Sequence, residues 1–254
     1  MQFLLDRLPA RTQKPRNNGL TMVMDKGLSV REVENFLSIA GPYVDLVKLG
    51  FGTSAVTPNL KEKLEVYKSA KIPVYFGGSL MEWFYAHDAF DEYVRILDKY
   101  GIEYAEVSDG SLEIPHDIKC NLIRQLAKDR IVLSEVGSKD AEKIIPPYKW
   151  IQLMKEEIEA GAWKVIAEAR EGGNVGIYRG TGEVREGLVD EILTQIPAEK
   201  ILWEAPNKSQ QVFFIKLVGT DVNLGNIPAN EVIPLETLRV GLRGDTMVYF
   251  MNKK

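Results

Sequence analysis

Two periods alternate along the chain. Short apolar, often β-branched runs end in polar residues or glycine, and an amphipathic stretch of helical period follows each one. Eight such units predict strands at Thr21–Met24, Tyr43–Leu49, Pro73–Phe76, Tyr104–Val107, Ile131–Val136, Lys164–Ala167, Ile201–Trp203 and Asp221–Leu224. The first helix shows its period plainly. Val33, Phe36, Leu37 and Ala40 form one apolar stripe that can face a sheet. Ser29 with Glu32 three residues on reads as a capping box, and Gly41-Pro42 as a stop. Gly101 and Gly161 mark similar stops, and Pro234 falls in the first turn of the last helix, where its missing N–H costs little. Eight strand-then-helix units without a long break predict a single (β/α)8 TIM barrel domain over residues 1–254, with a doubly wound open sheet as the alternative. One connection is long and Gly-rich, Glu171 to Glu183. It is a lid candidate on the strand-end face, or else a surface insertion.

Composition narrows this reading. A domain of 254 residues can bury about three quarters of its unfolded surface, so it needs no disulfide or structural metal. The single cysteine, Cys120, lies in a helical pattern, is expected to be buried, and suits a reducing compartment. A net charge of −4 and the absence of a long Lys/Arg run argue against a nucleic-acid partner. The first residues lack the pattern of a signal peptide, and no apolar run reaches the ~20 residues of a membrane span. A soluble, cytoplasmic protein without a membrane partner is expected.

The chemistry lies at the strand ends. Four consecutive strands end in AEVS, SEVG, AEAR and WEAP, which puts Glu106, Glu135, Glu168 and Glu204 at similar depth on neighbouring strands. In a barrel these positions crowd one mouth, where barrel enzymes keep their catalytic groups. Carboxylates this close need a positive offset. One candidate is a hard cation such as Mg2+, which takes oxygen ligands. The other is the set of bases Lys48, Lys139 and Arg170, with Arg170 placed by strand alternation on the same side as Glu168. A buried ion-pair network bracing the barrel is the plain structural alternative.

Other chemistries fit poorly. The two histidines, His87 and His116, fall in or near helices, which starves a zinc site and a Ser-His-Asp triad. Gly50-Phe51-Gly52-Thr53-Ser54-Ala55 matches a dinucleotide fingerprint, but the next strand ends in Phe76-Gly77-Gly78 without the acidic residue that NAD requires. The turn, including Ser54, can still cradle an anion. Phosphate is a reasonable substrate group. Barrels bind it with the loops after strands seven and eight, here Ala205–Ser209 with Asn207 and Gly225–Pro228 with Asn226. Simple loop and capping duty is the competing reading.

Several blocks are long enough to be specific: SEVGSKDAE (134–142), EARE (168–171), EAPNKSQQ (204–211), VNLGNIP (222–228) and LETLRVGLRGDT (235–246), with RTQKPRNNGLTMVMDKG and DLVKLGFGTS nearer the N-terminus. Over nearly its whole length the chain resembles the phosphosulfolactate synthase family. The resemblance implies a (β/α)8 barrel that uses Mg2+ to add sulfite to phosphoenolpyruvate, giving (2R)-phospho-3-sulfolactate for coenzyme M or sulfolactate biosynthesis. It also implies a compact homo-oligomer such as a trimer. In that setting Glu135, Glu168 and Glu204 are metal-ligand candidates, Lys139 is the acid that protonates C2, and Lys48 and Arg170 hold the anionic substrates. Glu106 joins them in the catalytic set, and Ser54, Asn207 and Asn226 are the further substrate-binding candidates. Two rivals remain: another lyase or aldolase-type barrel acting on a phosphorylated enol or keto acid, and a non-catalytic relative of plant proteins linked with heat tolerance.

Overall fold

The computed structural model describes residues 7–138 and 145–252. Eight parallel strands are present: β1 (Thr21–Asp25), β2 (Leu46–Leu49), β3 (Val74–Phe76), β4 (Tyr104–Val107), β5 (Ile131–Val136), β6 (Ala162–Ala167), β7 (Ile201–Glu204) and β8 (Leu224–Pro228). They run in the order β3-β2-β1-β8-β7-β6-β5-β4. Backbone ladders join the neighbours in that order, and the two ends, β3 and β4, lie side by side. The sheet therefore curls into a nearly closed (β/α)8 TIM barrel, as expected. Almost every strand residue is buried, because the strands are covered by side chains inside and helices outside.

The helices fill the connections: α1 (Val30–Ala40), α2 (Thr53–Val56), α3 (Leu60–Ser69), α4 (Gly78–Ala86), α5 (Phe90–Tyr100), α6 (His116–Leu126), α7 (Pro147–Glu159), α8 (Glu186–Leu193), α9 (Lys208–Val218), α10 (Val232–Arg239) and α11 (Gly244–Met251). Both halves of the Ser29–Glu32 capping box form, and α1 buries Val33 and Ala40. Cys120 is a buried free thiol on α6. Pro234 lies in the first turn of α10, but α11 follows, so that helix is not the last.

Two strands start three residues later than the sequence reading placed them, while the boundaries of the other six agree to within two residues. The second strand begins at Leu46 rather than Tyr43, because Gly41–Tyr43 wind into a 3₁₀ turn with Pro42 in its second position. The eighth begins at Leu224, where the expected strand ended. Asp221 is held by Arg11 and Thr12, and the Asn223 side chain ties Leu20 N to Ile201 O. Gly225–Pro228, expected to be a loop, is thus the strand itself. Its turn-forming residues fit because the β1–β8 ladder shifts register there and Asn226 takes a φ of 55°.

Candidate active site

Alternation along the strands aims one set of side chains into the barrel. Lys48 is matched in register with Met24 on β1 and Tyr75 on β3. Glu106 lies on β4, Glu135 on β5, Glu204 ends β7, and Glu168 follows β6 directly, its N–H still bonded to Val136 O. The four glutamates and Lys48 are all buried. The Lys48 ammonium lies 2.9 Å from Glu106, 3.3 Å from Glu135 and 3.6 Å from Glu204. Carboxylate oxygens of Glu135, Glu168 and Glu204 all lie within 4.8 Å of one another.

Backbone donors fix the carboxylates. Gly78 N donates to Glu106 Oε1 at 2.6 Å, linking α4 to β4 across the seam without a ladder. A Cβ at position 78 would lie 2.1 Å from Ser108 Oγ and 2.9 Å from Glu106 Oε1, so only glycine allows this approach. Arg170 N donates to Glu168 Oε1 at 2.6 Å, and Ala169 N to Glu204 Oε2 at 2.8 Å. Gly137, at φ 138°, lets β5 pass close to Glu168. Behind β5, Lys119 donates to the Glu135 carbonyl at 2.6 Å and pairs with Glu157 at 2.9 Å and Asp109 at 2.8 Å.

The electrostatics follow from burial. Desolvation by itself would lower the Lys48 pKa. Glu106, Glu135 and Glu204 outweigh it and hold the ammonium well above its ordinary value. Burial raises Glu106, against the pull of Lys48. Burial also pushes Glu204 up to about 7, with Lys48 opposing and Glu135 adding to the rise. Three buried carboxylates, Glu106, Glu135 and Glu204, thus share the Lys48 ammonium, and Glu168 lies beside two of them. Three convergent hard oxygen donors suit a hard divalent cation, and among the described residues neither imidazole nor thiolate joins them.

Of the residues expected at the site, Lys48, Glu106, Glu135, Glu168 and Glu204 come together. Lys139 lies outside the described residues. Arg170 does not continue the strand alternation expected of it. β6 stops at Ala167, and Arg170 takes a φ of 57° with its side chain exposed and its N–H bound back to Glu168. Asn207 is exposed and spends its amide on the α9 capping box and on Gly172 O. Asn226 is buried in β8, and Ser54 is buried in the short α2.

The long loop after β6 is not a loose insertion. Ile177 and Tyr178 are buried, Gln210 donates to Gly173 O and Gly182 O, and Tyr178 OH donates to Glu204 O. Sequence reasoning also missed Asp25, which accepts from Tyr67 at 2.9 Å and pairs with Lys63 at 2.6 Å. The Thr-Met-Val-Met-Asp run was a signal for a charged strand end there, but not for its partners on α3.

Comparison with known proteins agrees with this architecture. The chain is 44% identical over 246 residues to phosphosulfolactate synthase of Methanothermobacter thermautotrophicus, covering 94% of this chain and 95% of that protein. It is 46% identical over 235 residues to phosphosulfolactate synthase of Methanocaldococcus jannaschii, covering 90% and 93%. 3-Hexulose-6-phosphate synthase from Salmonella typhimurium shares the fold, with a TM-score of 0.56 at 16% identity, covering 86% of this chain and 97% of that one. The model of the (2R)-phospho-3-sulfolactate synthase family matches residues 9–245, and the chain belongs to that family of enzymes.

Proposed function

We propose that the protein catalyses the Mg2+-dependent addition of sulfite to phosphoenolpyruvate, forming (2R)-phospho-3-sulfolactate. The observation that carries this reading is the convergence of Glu106, Glu135, Glu168 and Glu204 around Lys48 at the strand ends, in a chain of this family. Sulfite is a good nucleophile, so an activated Ser or Cys is not needed. Its sulfur attacks C3, electrons move from the C2–C3 double bond toward the carboxylate, and a proton is added at C2. Glu135, Glu168 and Glu204 would hold Mg2+, which as a Lewis acid would stabilise the enediolate-like charge. Lys139 is assigned the proton for C2. Lys48 and Arg170 are assigned the phosphate and carboxylate of the substrate, with Arg suited to bidentate contacts. Ser54, Asn207 and Asn226 are lesser candidates for the same anions.

Incubation with phosphoenolpyruvate, sulfite and Mg2+, followed by ³¹P NMR, is the test. A new phosphate ester containing sulfonate is expected. No product at any pH from mildly acidic to alkaline sinks the reading. A Schiff-base aldolase is less well supported, since the buried Lys48 is kept protonated by its carboxylates. A non-catalytic role is disfavoured by the charged set that Lys48, Glu106, Glu135, Glu168 and Glu204 form. We further place the protein in the cytoplasm, its product feeding coenzyme M or sulfolactate synthesis, as a homo-oligomer such as a trimer without nucleic-acid or membrane partners. Exposed Leu217, Met247, Val248 and Met251 on α9 and α11 support a subunit contact. No helix among the described residues is long and apolar enough to cross a membrane.

A further inference from the structure

Tyr75 sits in the layer of the barrel that carries the charged cluster. It pairs in register with Lys48, and matched residues on parallel strands project to the same face. Its ring is fully buried. The groups that act on its hydroxyl electrostatically are Glu106, Lys48, Glu204 and Glu135. Yet the hydroxyl has no hydrogen-bond partner among the described residues.

A buried O–H without a partner is costly, and phenylalanine would fill the same volume without that cost. Two other buried tyrosines are satisfied: Tyr67 donates to Asp25 and Tyr178 to Glu204 O. Tyr93 OH is also unpartnered, but it lies on α5, outside the ring of strands. Tyr75 is surrounded by carboxylate acceptors and bonds to none of them. Its donor is left unused within the cluster.

On the reaction proposed above, we propose that Tyr75 is a further catalytic residue, whose hydroxyl donates a hydrogen bond to the substrate oxygen that gains negative charge when C3 is attacked. A donor already in place, in a water-poor site, stabilises that charge without reorganisation. A phenol, whose ordinary pKa is about 10, is protonated at neutral pH, so it serves as a donor and not as a base.

Tyr75→Phe tests this by removing one oxygen and no ring volume. Turnover should fall about a hundredfold, with KM for both substrates changed by no more than about threefold. The melting temperature should be unchanged or higher, because the orphaned hydroxyl is gone. Unchanged turnover, or lost turnover with a lower melting temperature, overturns the proposal. Calorimetric titration with oxalate in Mg2+ buffer, a planar dianion resembling the enediolate, keeps it separate from the reaction reading. Wild-type protein should bind oxalate at least about tenfold more tightly than the variant. Equal affinity, or no binding to either protein, overturns the proposal whether or not wild-type turnover is found.

Discussion

Lys48 faces three carboxylates with a single ammonium, and Glu168 crowds two of the same carboxylates. Such a group is stable only when further positive charge reaches it or a proton stays on it, and burial pushing Glu204 up to about 7 expresses that conflict. Glu135→Gln and Glu168→Gln should each raise the Mg2+ concentration needed for half-maximal activity by about tenfold or more, while chelation should abolish wild-type turnover reversibly. A Mg2+ titration of initial rates checks this, and unchanged half-saturation would remove that residue from the ligand set. Lys139→Ala should abolish turnover with the melting temperature preserved. Near-normal rates would take Lys139 out of the mechanism. The four glutamates were legible at this scale because each falls at a strand end. Tyr75 was not, since an aromatic residue in a buried strand looks the same whether or not its hydroxyl is satisfied.

Elements are held in place by polar contacts as well as by apolar packing. Lys119 on α6 binds the Glu135 carbonyl, Glu157 on α7 and Asp109 after β4, so one buried ammonium aligns two helices with the strand that carries a site carboxylate. Lys119→Met should cost about 3–5 kcal/mol, because Glu157 is then left buried without its cation. Urea denaturation reads this loss, and adding Glu157→Gln should recover a good part of it. If Lys119→Met is neutral, the network is not structural support. None of this was readable beforehand. The partners lie on different elements, and spacing within α6 reveals only which face is buried. The eighth strand was misplaced for a related reason. Gly-Asn-Ile-Pro has the composition of a turn, and only the neighbouring strands, with a register shift, make it a strand.

For the whole molecule, stability should depend on pH through Lys164. Burial, and next to it Lys200, lowers its pKa to about 8 in the folded protein. An unfolded lysine titrates near 10.4. Below 8 both states are protonated, and the fold bears the full penalty of a buried charge. Between about 8 and 10.4 the unfolded state binds more protons, so this contribution raises stability as pH rises. The unfolding midpoint of wild type relative to Lys164→Met should therefore climb across that window. A pH-independent difference would show that Lys164 is not the source.

The order of eight strands and helices, the carboxylates at four strand ends and the family were all determined by the sequence itself. Periodicity sets which side chains can face inward, and a parallel barrel then has one mouth at which strand ends meet. Tertiary structure decided which groups touch. Lys48 among the glutamates, Lys119 behind Glu135 and the unpartnered hydroxyl of Tyr75 all depend on contacts between distant segments, and local patterns of hydrophobic and polar residues carry no record of those distances.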